Sequence, residues 1–263
     1  MWQYNYSDDI YHYGVKGMKW GVRRKRYKTS YDSDTVLKKG TTIQNISANK
    51  KRALDKGPIY GATTQKDKLS YAGMYAEQLK DWLDAKSVYK NDFKVVKDIK
   101  IPSQKKAVGM FKETFVKDPD GMARCIARAK ADISMFGKIG KTFNMDVESR
   151  VYKKYMNKGE EWLNTKGYEY FNQTIASDKS AKARNAYFDT LLSKGYNGIL
   201  DVNDINNSYD SEAPVIVIDP KNSLKERTTK KLTTNDIGWS LMKYAELYEP
   251  DLMDYAKSCL EDW

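Results

Sequence analysis

A long helical stretch, set between two groups of β-branched strand segments, limits the folds open to this chain. From residue 104 to residue 194 apolar side chains recur at helical spacing. Phe111, Phe115, Ile126, Ile133 and Phe136 mark the first part, and Val151, Tyr155, Trp162 and Tyr170 the second. Gly121, Gly137, Gly140 and Gly167 punctuate the stretch. Ahead of it, residues 35–47 read as two short strand pieces around Lys38-Lys39-Gly40. Residues 57–64 read as a strand leaving a turn, and 93–101 as a strand ended by Pro102. Asp67 is placed to cap a helix over 68–85. Behind the helical stretch Gly195 is placed as a C-cap, and strands are expected at 198–202, 214–218 and 224–232. The end of the chain reads as helical. Thr234 or Asn235 caps one helix carrying Ile237, Leu241, Tyr244 and Tyr248, and Pro250 opens another with Leu252, Tyr255 and Cys259.

Strands, helices, strands, helices is the order of an α+β domain, here with a small mixed sheet, a long helical block and C-terminal helices. The expected division is a basic tail at 1–34, an α+β domain at 35–232 that contains the block 104–194, and helices at 233–263 packed on the body. A content of 20 Tyr and 6 Trp argues against a disordered body. The net charge of +11 favours an acidic partner. The two cysteines, Cys125 and Cys259, spell neither a disulfide framework nor a zinc motif, so reduced thiols and no metal are expected. The apolar run 215–218 is far too short to span a bilayer, and no basic-then-apolar leader opens the chain, so a soluble protein without a visible export signal is expected.

The N-terminal tail carries its own signal. Residues 11–24 read YHYGVKGMKWGVRR. Gly14, Gly17 and Gly21 break any helix there, at about 1 kcal/mol each. Aromatic and apolar side chains stand between them with no neighbours in sequence to bury them. Seven cations and no acid lie between Lys16 and Lys28. A flexible backbone with aromatic anchors and a basic flank reads as a short docking ligand. Its contact residues are His12, Tyr13, Val15, Met18, Trp20, Arg23 and Arg24. This motif resembles a signature of head-associated proteins of tailed bacteriophages and prophages. The resemblance implies a place in the virion, inside or on the head, after a period in the host cytoplasm. It implies phage head or portal proteins as partners; no membrane partner is expected from the short apolar runs of the chain. The run from 16 to 28 also suits non-specific electrostatic contact with nucleic acid.

The body lacks a phosphate-cradling glycine loop, a nucleophile elbow and an HExxH motif. His12 is the sole histidine, so Ser-His and Cys-His catalysis are excluded from the body. Three segments in order, 39–46, 57–64 with the helix from Lys68 to Leu79, and 195–200 followed by 211–220, resemble the core of the ADP-ribosyltransferase fold. That resemblance implies NAD as cofactor. A basic residue at the end of the first strand would hold its phosphates, and a Tyr or a Ser/Thr pair on the second would buttress the nicotinamide. A Glu at a late strand would face the cationic sugar. Tyr60, Thr63 and Thr64 match the second element, while Asn45 or Gln44 stands where an Arg is expected. Glu212 lies at the late strand's entrance, Pro214 falls where a Glu-x-Glu carboxylate would be, and Asp201 and Asp204 are the nearest substitutes. The expectation is a docked scaffold without catalysis. The alternative is an active NAD-dependent mono-ADP-ribosyltransferase delivered to the host.

Overall fold

The computed structural model describes residues 33–48, 50, 53–63, 87–133, 141–200, 214–233, 235, 236, 242, 253 and 257. Among the described residues there are eight strands: β1 (Thr35–Leu37), β2 (Thr42–Ser47), β3 (Ile59–Thr63), β4 (Tyr89–Val95), β5 (Ile99–Ile101), β6 (Gly198–Leu200), β7 (Pro214–Val217) and β8 (Leu224–Lys231). Six of them form one sheet in the order β6-β7-β3-β2-β4-β8, and β1 pairs with β5 in a second. Every pairing is antiparallel. The α+β class stands, but the sheet expected to be small and mixed is six strands wide and antiparallel. The late strands β6 and β7 extend its β3 side, and β8 extends its β4 side. These neighbours come from opposite ends of the chain, and local sequence carries no signal for pairings at that distance.

The turn between β1 and β2 depends on Gly40, whose φ of 98° suits glycine. It lets the Gly40 amide donate to the Val95 carbonyl at 2.8 Å. The strand expected over 93–101 is two strands. The Asp98 carboxylate accepts from the Lys39 amide at 2.8 Å and from Lys38 Nζ at 3.0 Å. These bonds pull the chain towards the β1–β2 turn, so β5 leaves the large sheet and pairs with β1. The apolar alternation continues through the break, which is why the sequence conceals it.

The helical block comprises α1 (Gln104–Phe115), α2 (Pro119–Ile133), α3 (Lys141–Asn157), α4 (Gly159–Trp162), a π-helical turn (Leu163–Gly167), α5 (Tyr168–Thr174), a 3₁₀ turn (Asp178–Ser180) and α6 (Ala181–Ser193). Ser103 caps α1, its Oγ accepting from the Lys106 amide at 3.4 Å. Gly195 closes α6 at φ 84°, as its place in the sequence predicts. A short helix, α7 (Pro220–Ser223), leads into β8. At residues 233–236 the Thr233 amide donates to Asp236 Oδ2 at 2.9 Å and the Asp236 amide donates back to Thr233 Oγ1 at 3.2 Å. That reciprocal capping box puts the cap at Thr233, not at Thr234 or Asn235. The helix expected over 68–85 and most of 233–263 lie outside the described residues.

Strand alternation divides the core in two. Tyr60, Ile199, Ile216 and Ile218 face the helical block and join its aromatic centre, where Phe111 stacks on Phe171 at 4.8 Å and meets Tyr168 and Tyr187 edge-on. On the opposite face Ile43, Ile59, Phe93, Val215 and Val217 pack with Ile99 and Ile101 of β5. The block's two ends meet at one residue. The Asp34 carboxylate accepts from the Ser103 amide at 3.0 Å, Lys106 Nζ at 2.6 Å and the Tyr196 hydroxyl at 2.8 Å.

Candidate functional site

The candidate site is the polar centre of the large sheet, where β3, β2, β4 and β8 lie side by side. Asn45 faces Asn91 in the β2–β4 register, and Asn91 faces Thr229 in the β4–β8 register. Their side chains link in that order. Thr229 Oγ1 donates to Asn91 Oδ1 at 2.9 Å, Asn91 Nδ2 to Asn45 Oδ1 at 3.4 Å, and Asn45 Nδ2 to the Tyr60 carbonyl at 2.9 Å. The last bond stands where the β2–β3 ladder has stopped, since the paired residues are Ile43 with Thr63 and Gln44 with Ala62. The two strands approach so closely beside it that a Cβ on Gly61 would lie 2.4 Å from the Gln44 carbonyl oxygen. Asn45 and Asn91 are each 1% exposed, so this row is an internal polar seam.

Asn45 meets Tyr60 at its backbone, through the bond to the Tyr60 carbonyl. The Tyr60 ring sits in the helical core, whereas Asn45 shares its sheet face with Ile43, two residues earlier on β2. Alternation therefore puts the two side chains on opposite faces of the sheet. Thr63 is half-buried, on the Asn45 face, at the end of β3. Thr64, Asp201, Asp204 and Glu212 lie outside the described residues, as do His12, Tyr13, Val15, Met18, Trp20, Arg23 and Arg24. Their described chain neighbours are informative for the body. Ile43 pairs with Thr63, Ala62 with Pro214, and Leu200 with Val215. The last described residues of β3 and β6 and the first of β7 thus lie at the same end of the sheet.

On the other face Thr228 Oγ1 donates to Asp92 Oδ2 at 3.0 Å, and Lys90 Nζ lies 3.6 Å from the same oxygen. Sequence reasoning missed Asn91, Asp92, Thr228 and Thr229. Starting β4 at Phe93 cut off Asn91, although Tyr89-Lys90-Asn91-Asp92-Phe93 continues the two-residue alternation. Among the described residues no group of three or more His, Cys, Asp or Glu side chains is placed to hold a metal, and no helix is long and apolar enough to cross a membrane. Cys125 is a free, half-buried thiol against the helical core.

A model for a family of unknown function, DUF7211, matches residues 5–27. That span holds every residue of the expected docking peptide and stops before β1. No curated protein and no solved structure shows significant similarity to the chain.

Proposed function

We propose that the chain is a head-associated phage protein. Residues 12–24 dock it to a head or portal protein, and its body is an ADP-ribosyltransferase-like scaffold without catalysis. The observation that carries this reading is the confinement of the family match to 5–27, the span of the glycine-spaced aromatic and basic peptide. The protein then resides in the virion after assembly and in the host cytoplasm before it. The test is co-assembly: the full chain should sediment with heads, and a chain lacking residues 1–28 should remain in the supernatant. Truncated protein recovered in heads at the full-length level would sink the docking assignment.

The scaffold half of the reading is supported by the sheet centre. The Asn45 amide stands where the transferase resemblance expects a phosphate-binding Arg, and it is buried and bonded within the sheet. Tyr60 lies in the helical core on the opposite face. One observation favours the active transferase instead, namely that Thr63, Leu200 and Pro214, the described residues nearest in sequence to Thr64, Asp201 and Glu212, lie at one end of the sheet. Calorimetric titration of NAD into the full chain separates the two. The scaffold reading expects no heat of binding, and millimolar or tighter binding weakened by Thr63→Ala would establish the transferase reading. A third role, non-specific contact with nucleic acid through residues 16–28, is compatible with head association.

A further inference from the structure

We propose that the β4–β8 corner of the large sheet is a second binding surface, built into the body, for the phosphate backbone of nucleic acid. In the β4–β8 register Lys94 lies directly opposite Lys225, and Lys90 directly opposite Lys230. Like charges placed opposite one another across a strand pair destabilise a sheet. The chain offsets one of these pairs and leaves the other. Lys90 Nζ lies 3.6 Å from Asp92 Oδ2, and Lys230 Nζ lies 2.5 Å from Asp236 Oδ1. Lys94 and Lys225 are both exposed, and neither forms an ion pair among the described residues. The other neighbour of Lys94 across the sheet is the neutral Thr42.

Two further cations stand at the same corner. The register shift at Asp92/Phe93 makes Arg227 the extra residue of a bulge between Glu226 and Thr228, and it is exposed. Lys97, also exposed, occupies the turn that ends β4, where its amide donates to the Ser223 carbonyl just before β8 begins. Glu226, the acid of β8, has its Oε1 3.2 Å from Thr229 Oγ1 and pairs in register with Phe93, on the opposite face from Lys94 and Lys225. Lys94 and Lys97, at the end of β4, and Lys225 and Arg227, on the outer strand β8, thus form a cationic corner in which none of the four has an ion pair among the described residues.

The surface fits a phosphate backbone better than an acidic protein. A protein partner is held chiefly by side chains seated in apolar pockets. This corner offers a single exposed valine, Val96, among lysines and an arginine. Phosphate contacts need cations on a rigid frame and no pocket. The assignment is independent of the docking reading, because it concerns residues of the body alone.

The test measures binding of a random-sequence 30-base-pair DNA duplex to the full chain by fluorescence anisotropy across a salt series. Residues 16–28 stay in every variant, so the tail's contribution is constant. Lys94→Gln with Lys225→Gln should flatten the slope of log affinity against log salt by about 1.8, at roughly 0.9 for each phosphate no longer neutralised. It should do so without lowering the melting temperature. Lys153→Gln with Lys158→Gln, two exposed lysines of the helical block, removes the same charge elsewhere and should leave the slope near that of the parent. An unchanged slope in the corner variant, or an equal flattening in the helical control, would overturn the proposal. So would a poly-glutamate chain of matched charge that displaces the duplex from the parent as well as unlabelled DNA does.

Discussion

Two side chains act well beyond their size. Asn45 bridges three strands, since it donates to the Tyr60 carbonyl of β3 and accepts from Asn91 of β4 while belonging to β2. Asn45→Ala removes a buried partner from each, and an abandoned buried polar group costs about 1–3 kcal/mol. Urea unfolding should register a loss of that size, and a loss under about 0.5 kcal/mol would show that water or a shifted strand satisfies the gap. The strand position of Asn45 was legible in the sequence. Its partners were not, because they depend on which strands become neighbours. Asp34 poses a different question. The bond from Lys106 Nζ, then the Ser103 amide and the Tyr196 hydroxyl, hold its carboxyl at about 2. A folded value below the ordinary value near 3.9 means that the group supports the fold above about pH 4, and that this support vanishes as pH falls through about 2. Asp34→Asn should therefore lower the melting temperature at neutral pH and narrow the gap to the parent between about pH 4 and pH 2. A difference that stays constant across that window would assign the effect to something other than ionisation.

At the scale of elements, the strand pair β2–β3 and the helix α1 carry the clearest consequences. Gly61→Ala places a methyl group 2.4 Å from a main-chain oxygen that no side-chain rotation can move aside. The strands must separate, and overpacking of this kind costs about 1–3 kcal/mol or slightly more. Equilibrium unfolding checks it, and a neutral result would mean that β3 slides along β2 without penalty. Phe111, fully buried on α1, contacts the rings of Phe115, Tyr168, Phe171 and Tyr187. Phe111→Ala should cost about 3–5 kcal/mol, read from the same denaturation curves. The periodicity of α1, the turn at Gly40 and the cap at Gly195 could all be read in advance, because each is written in neighbouring residues. The split of the expected 93–101 strand was hidden because its cause, Asp98 bonding back to Lys38 and Lys39, lies about sixty residues away along the chain.

At the scale of the whole molecule, the two apolar cores share one sheet. Tyr60 and Ile216 face the helical block, while their neighbours Ile59 and Val217 face β5. Neither core can loosen without disturbing the strands that wall the other, so the body should unfold in one transition. Helical circular dichroism and near-ultraviolet aromatic signals should report coincident midpoints. A helical block that melts first would contradict that coupling. The α+β class was legible because the order of helical and strand periods survives any arrangement in space. The strand order was not, since β7 and β8 pair with β3 and β4 across more than a hundred residues. The Asp34 junction has one more consequence. The helical block departs at Ser103 and comes home at Tyr196, both bonded to a single carboxylate. The sheet therefore experiences this long excursion as if it were a short loop. Additions or deletions among the block's outer helices would leave strand registry undisturbed, which makes that region the natural place for relatives of this protein to differ in length.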